Sequence, residues 1–226
     1  MARTPIFHEE KKAQITQAAL TTFSRYGYEG ATNKLIAQEV GKLIGQEGKP
    51  ISPALIYHYF PQGKSQLFAE CLSQFPTLQQ FSQLLIDNLE QPPELFLRLV
   101  ARTYNEVLKT EGVLPILRMV LNEAPRQPEL VTALQGLIGP KLLLPMLGYF
   151  EKQIRAGHVR AIKPDQIGMQ LFAPLVMRRI LLSIFPGSAL PMVTSDDDEF
   201  IETIVQIILQ GFFNKQSTVF TVCKQN

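Results

Sequence analysis

The sequence predicts an all-α protein, an N-terminal three-helix helix-turn-helix head joined to a larger helical domain. Three observations carry that reading. Apolar residues recur at i, i+3, i+4 and i+7 through nearly the whole chain, the period of amphipathic helices. Gly and Pro interrupt the pattern where helices should stop: Pro92-Pro93, Gly112, Pro125, Pro128, Gly139-Pro140, Gly157, Pro164, Pro186-Gly187 and Pro191. Alternation with period two is confined to Thr218–Val222 in the tail.

The elements follow in order. Met1 to Phe7 reads as a short arm, with Arg3 its only side-chain cation. From about Glu9 the stripe Ile15, Ala18, Ala19, Thr22, Phe23 marks a first helix, and Gly27 ends it. Thr32 stands where an N-cap belongs, ahead of Leu35, Ile36 and Val40. Leu43 and Ile44 extend that stripe, which favours a second helix running to about Ile44; a surface loop starting at Gly41 is the competing reading. The Gly/Pro-rich segment 42–50 then leads to Ile51-Ser-Pro-Ala-Leu-Ile-Tyr-His-Tyr-Phe60. Ser52 suits an N-cap and Pro53 the first helical position, while Ile51 and Ile56 have the spacing of a hydrophobic staple. A third helix should therefore start abruptly at Ser52. A helix that short buries little, so the Tyr-His-Tyr on it calls for a role beyond packing.

Leu67, Phe68, Cys71, Leu72 and Phe75 form the stripe of a fourth helix, and Phe75-Pro76 marks a break and the domain boundary, giving domains 1–75 and 76–226. Beyond it the stripes run 78–89, 95–108, 113–121, 130–138, 142–154, 167–185 and 200–213. Asp196-Asp-Asp-Glu199 precedes the last of them, where a helix N-terminus favours negative charge, so these acids need no metal to explain them.

Composition bounds the function. A hydrophobic content of 46% excludes a disordered chain, and 19% charged residues fits a surface partly buried in an oligomer. Residues 1–75 hold eight Lys/Arg against six Asp/Glu while 76–226 hold fourteen of each, so the net +2 sits in the head and permits contact with DNA without demanding it. Cys71 lies on an apolar stripe and Cys223 far from it, which fits a reducing cytoplasm and a core thiol. Met1 to Lys12 lacks the apolar segment of a secretory signal, and 167–185 is broken by Pro174 and Arg178-Arg179, so the expectation is a cytoplasmic protein with no membrane partner. The sequence offers no nucleophile with a positioned base, no metal-ligand cluster and no Gly-rich phosphate loop; the expectation is neither enzyme nor cofactor.

Ile15–Phe23, Gly27-Tyr-Glu-Gly-Ala-Thr32, Leu35-Ile-Ala37 and Ile51–Phe60, followed by Lys64 and Leu67-Phe68, resemble the DNA-binding head of the TetR/AcrR family of bacterial transcriptional regulators. The resemblance covers about 9 to 75, and Leu117–Leu130, Gly157 and Lys163-Pro-Asp165 are similar to the C-terminal region of many AcrR-like members. The chain departs from the family in segment 42–50, where Lys42 or Lys49 could add a phosphate contact, and in the extra Gly63.

The resemblance implies a homodimer whose third helices read a palindromic operator in the major groove of double-stranded DNA. Thr32 would meet a phosphate, Tyr57, Tyr59 and Lys64 the DNA backbone, and Pro53, Ala54, Leu55 and His58 base edges, with Ser52, the cap of the reading helix, also among the DNA-binding residues. Ile56 and Phe60 are assigned to the core, and His8 and His158 receive no role. Phe81, Phe96, Tyr104, Arg118, Met119, Met146, Tyr149, Phe150 and Met177 are candidate linings of a pocket for a small, largely apolar effector. Leu171, Leu175, Ile180, Ile204, Ile208 and Phe212 are candidates for the dimer interface. The implied function is a repressor released from its operator by that effector. The alternative is a dimeric ligand-binding module whose operator recognition segment 42–50 has weakened or abolished.

Overall fold

The structure, a computed structural model, describes residues 5–45, 50–160, 162–185 and 196–213. Arg3, Lys49, Cys223 and the stretch Thr218–Val222 lie outside the described residues, as do residues 46–49 of segment 42–50. The chain divides into two compact units, Met1–Gln79 with Gly112–Gly139, and Gln80–Glu111 with Pro140–Asn226. Every element named below is a helix, as the apolar period predicts.

In the first unit α1 (Pro5–Gly30) bends at Gly27, whose φ of 74° lies in the left-handed region. The following turn ends at Thr32, whose hydroxyl accepts from Leu35 N at 3.3 Å and caps α2 (Asn33–Leu43). Ile44 is the C-cap, so the second helix does run past Gly41, because Val40 and Gly41 are buried in the core. Ser52 caps α3 (Pro53–Tyr59) by accepting from Ala54 N at 3.3 Å, and Phe60 closes it. Gly63 has φ 81° at the start of α4 (Lys64–Ser73), which accounts for the extra glycine: a side chain is strained in that conformation. α5 (Pro76–Asp87) begins after the Phe75-Pro76 break.

The core of this unit is aromatic at its centre. Phe23 stacks on Tyr28 at 5.7 Å, and Phe68 meets both edge-on at 5.3 and 5.7 Å. Ile15, Ala18, Ala19, Ile36, Ala37 and Val40 surround them, and Ile56 and Phe60 anchor α3 to the same cluster. The Cys71 thiol donates to Thr16 O at 3.3 Å, and burial pushes its pKa up, so it is a packing residue rather than a reactive one. Two later helices complete the unit: α7 (Val113–Glu123) contributes Ile116 and Met119 to the core, and α8 (Pro128–Ile138) contributes Leu130.

The second unit is built from the end of α5, α6 (Pro93–Lys109), α9 (Leu144–Arg155), α10 (Pro164–Ile184) and α11 (Asp197–Phe212). Gly139-Pro140, expected to stop a helix, instead opens a π-turn over Gly139–Leu143; Pro140 lacks an N–H for the ordinary ladder, and the wider turn accommodates the loss. Pro128–Arg155 and Pro164–Ile184 are apolar and long enough to span a membrane by composition, yet Lys141 interrupts the first, and Arg178 and Arg179 the second.

A polar cluster ties α6, α10 and α11. Asp197 accepts from Arg178, from Arg179 at 2.7 Å, from Lys109 at 2.7 Å and from Asn105 at 3.1 Å. Burial works against its charge, but the bonds from Lys109, Asn105 and Arg178 outweigh it and hold the carboxyl well below the usual range. Arg98 bridges Glu94 at 2.5 Å and Glu202 at 2.7 Å, and its hydrogen bonds hold the Glu202 carboxyl at about 2.

Two outcomes are expected. Gly27→Ala forces φ on a side chain and places a Cβ 2.4 Å from Glu123 Oε1, so it should cost roughly 1–3 kcal/mol in urea unfolding followed by circular dichroism. An unchanged midpoint would show that this turn is not constrained. Because the folded carboxyls of Asp197 and Glu202 are depressed, their contribution is complete above the unfolded values. It is lost as pH falls from about 4.5 toward 2. The thermal midpoint should drop over that window, and Asp197→Asn with Glu202→Gln should flatten the drop while lowering the midpoint at neutral pH.

Candidate nucleic-acid interface

The local sequence folds α3 with one anchored side and one free side. Ile56 and Phe60 are 2% and 1% exposed, so the helix cannot roll. Ser52, Pro53, Ala54, Tyr57 and His58 are exposed on the other side, with Tyr57 58% accessible. Leu55 is half-buried. Pro53, Ala54, Tyr57 and His58 therefore form one short face of the size that enters a major groove. Thr32 is exposed at the N-terminus of α2, its hydroxyl already used as the cap.

Two of the expected backbone contacts are placed differently. Lys64 is half-buried, with its ammonium 4.6 Å above the Tyr28 ring and donating to Glu29 O at 3.2 Å. Burial lowers its pKa, against the raising effect of Glu123, Glu129 and Glu29. Tyr59 is half-buried against the core and packs on His8 at 4.6 Å between ring centroids. Both side chains hold the head together. Lys42, on the last turn of α2, pairs with Glu39 at 2.9 Å.

The turn that carries Thr32 has a support that sequence reasoning missed. Glu123 accepts from Tyr28 N and from Glu29 N, both at 2.8 Å, one with each carboxylate oxygen. A carboxylate at the C-terminus of α7 opposes that helix's own dipole, so its favourable partners are those two N–H groups at the start of the turn. Burial, then Glu129 and Glu123, pushes the Tyr28 phenol up to about 12, keeping it neutral in the core. The only sequence signal for this link was an acid in the last turn of a helix, where a base is the better choice.

The candidate effector residues are divided between the units. Phe96, Tyr149 and Phe150 form one aromatic nest, with Phe96 stacked on Tyr149 at 3.8 Å and the Tyr149 hydroxyl donating to Gln91 O at 2.9 Å. Met146 is buried in the same unit. Tyr104 sits between Phe81 at 5.8 Å and Phe172 at 4.6 Å, and burial raises its phenol to about 12. Phe172 extends the expected set, from the same apolar helix. Met119 belongs to the core of the first unit and Arg118 is exposed there, while Met177 is 55% exposed; these three do not join the nest.

The expected dimer residues need correction. Leu171, Leu175, Ile204 and Ile208 are buried within the chain's own core, and Ile180 and Phe212 are half-buried. The apolar stripes that α10 and α11 leave uncovered carry Met169, Met177 and Ile184 on the first and Ile207 on the second. The period of the helices was legible, but which of two apolar faces turns inward depends on tertiary packing.

A capped, anchored helix with an exposed reading face, set on two supporting helices, defines a helix-turn-helix DNA-binding protein. The profile of bacterial regulatory proteins of the tetR family matches residues 15–71, and that of the AefR-like transcriptional repressor C-terminal domain matches residues 96–212. The chain belongs to the TetR family of transcriptional regulators.

Similar solved structures agree on the fold. A TetR family transcriptional regulator from Pseudomonas syringae is 18% identical with a TM-score of 0.62, over 91% of this chain and 98% of that one. The flavonoid-responsive regulator FrrA is 18% identical with a TM-score of 0.62, over 92% and 99%. The transcriptional regulator FadR of Bacillus subtilis, in complex with stearoyl-CoA, is 14% identical with a TM-score of 0.61, over 88% and 98%. No curated protein matches the chain.

Removing the Glu123 carboxylate should loosen the α1–α2 turn. Glu123→Ala is expected to lose roughly 1–3 kcal/mol in urea unfolding, with Glu123→Gln, which keeps one acceptor oxygen, between it and the parent. Equal stability of all three would remove the assigned role.

Proposed function

We propose that the protein is a homodimeric repressor that binds a palindromic operator and leaves it when a small, largely apolar effector occupies the second unit. The observation that carries the reading is the exposed face Pro53, Ala54, Tyr57 and His58 on a helix pinned from behind by Ile56 and Phe60. Exposed aromatic and imidazole groups on a seven-residue helix suit groove contact. The description of the family matching residues 96–212 as a repressor's C-terminal domain supports repression. FrrA responds to flavonoids and FadR is seen with stearoyl-CoA, which supports an effector with a large apolar part; the nest of Phe96, Tyr149 and Phe150 offers chemistry of that kind. Release follows if the effector favours a dimer whose heads are wrongly spaced for two half-sites. Such a protein acts on DNA in the cytoplasm and performs no catalysis.

The dimer face proposed is the uncovered stripe of α10 and α11. Met169 at 65%, Met177 at 55% and Ile207 at 63% exposure are large apolar groups that a monomer would leave in water. Met177→Glu combined with Ile207→Glu should convert the dimer to a folded monomer in light scattering; a persistent dimer would place the interface elsewhere.

The operator reading is tested by anisotropy titration of the full-length protein onto a duplex that it enriches from a random-sequence pool. The Tyr57→Ala, His58→Ala double variant should bind at least roughly tenfold more weakly with an unchanged melting temperature. Failure to enrich any duplex would leave the alternative, a dimeric ligand-binding module without operator recognition.

A further inference from the structure

At the edge of the reading face three rings from α1 and α3 come together. His8, near the start of α1, sits 4.6 Å from the Tyr59 ring and 6.5 Å from the His58 ring, and His58 meets Tyr59 edge-on at 5.4 Å. The His8 side chain is 52% exposed and His58 is exposed, so the two imidazoles form one solvent-facing edge shared by α1 and α3. Among the described residues no third acid, histidine or cysteine joins them as a metal-binding group. The free edge is adjacent to Tyr57 and His58 in the sequence of α3, and a groove-bound α3 brings the DNA backbone alongside it.

We propose that His8 is a DNA-contacting residue, forming with His58 and Tyr59 an imidazole edge that takes up protons on operator binding and makes that binding tighter as pH falls. The inference rests on the operator reading above. Imidazole is the side chain whose charge changes between about pH 5 and 8. Phosphates placed beside the two rings favour their charged forms, so operator binding draws protons to them.

The charged groups around His8 do not cancel the effect. On α1, Glu9 lies 3.9 Å from Nδ1, Lys11 donates to Gln14 at 2.8 Å and Lys12 pairs with Glu70 at 2.9 Å. From α3 the rings of His58 and Tyr59 face it. Glu9 is 76% exposed, so solvent screens its interaction with the His8 ring.

The test uses the full-length protein and the duplex it enriches from a random pool, at fixed ionic strength. Wild type should bind at least roughly tenfold tighter at about pH 6 than at about pH 8, since each proton taken up is worth up to about tenfold per pH unit. His8→Gln should cut that ratio to roughly threefold. His8→Arg, a fixed charge, should restore tight binding at the higher pH. A wild-type ratio in His8→Gln overturns the inference. So does an equal loss at both pH values with a lowered melting temperature, which would make His8 a packing residue for Tyr59. Failure to enrich a duplex overturns the operator reading itself, and this inference with it; an enriched duplex with an unchanged ratio overturns only the role of His8.

Discussion

The head depends on a turn that it cannot hold alone. Gly27 takes φ to 74° and sends the chain from α1 into Tyr28–Ala31, leaving two backbone N–H groups pointed outward at the bend. Glu123, 95 residues after Tyr28, accepts both. A side chain at Gly27 would collide with that carboxylate, so the left-handed backbone and the close approach require glycine at the same place. Tyr28, fixed by the turn, then stacks on Phe23 and receives Phe68 on its edge. Thr32 caps α2 four residues later, and α2 carries α3 through Ile36, Val40 and Ile56. The orientation of the reading helix is thus traceable to one carboxylate and one glycine.

Much of this was legible in the sequence, because local rules decide local structure. Thr32, Ser52-Pro53 and Phe75-Pro76 set their helix ends by capping and by proline geometry, and those signals act within a few residues. Leu43 and Ile44 extended the stripe of α2, and the helix followed it. Glu123 was illegible because nothing near it in sequence marks its partner. The inward turn of Lys64 was illegible for the same reason: a lysine after a turn has the same sequence signature whether it points to a phosphate or folds over Tyr28.

The second unit illustrates a different limit. α10 is apolar nearly all round, so its sequence does not distinguish Leu171 and Leu175, which pack inward, from Met169 and Met177, which remain in water. Only the chain's own partners break that symmetry. Asp197 supplies one of them, drawing Arg178 and Arg179 of α10 toward α11 and Lys109 and Asn105 of α6 toward both. Once these are satisfied, the rotation of α10 is fixed and its remaining apolar stripe is committed to the outside. An ionic cluster in this unit therefore decides which hydrophobic residues are left for another molecule.

These two constraints meet in the electrostatics of DNA binding. The head holds two more bases than acids, and Lys64, Lys42 and Lys12 are engaged with Glu29 O, Glu39 and Glu70. A net charge this small supplies little of the counterion release that drives non-specific binding. What the head offers instead is a reading face of Pro53, Ala54, Tyr57 and His58 with the ring of His8 beside it. Contacts of that kind are short-ranged and depend on fit, so they gain from a helix that cannot roll. Weak long-range attraction paired with a rigid, aromatic reading edge favours discrimination among sequences over accumulation on DNA in general.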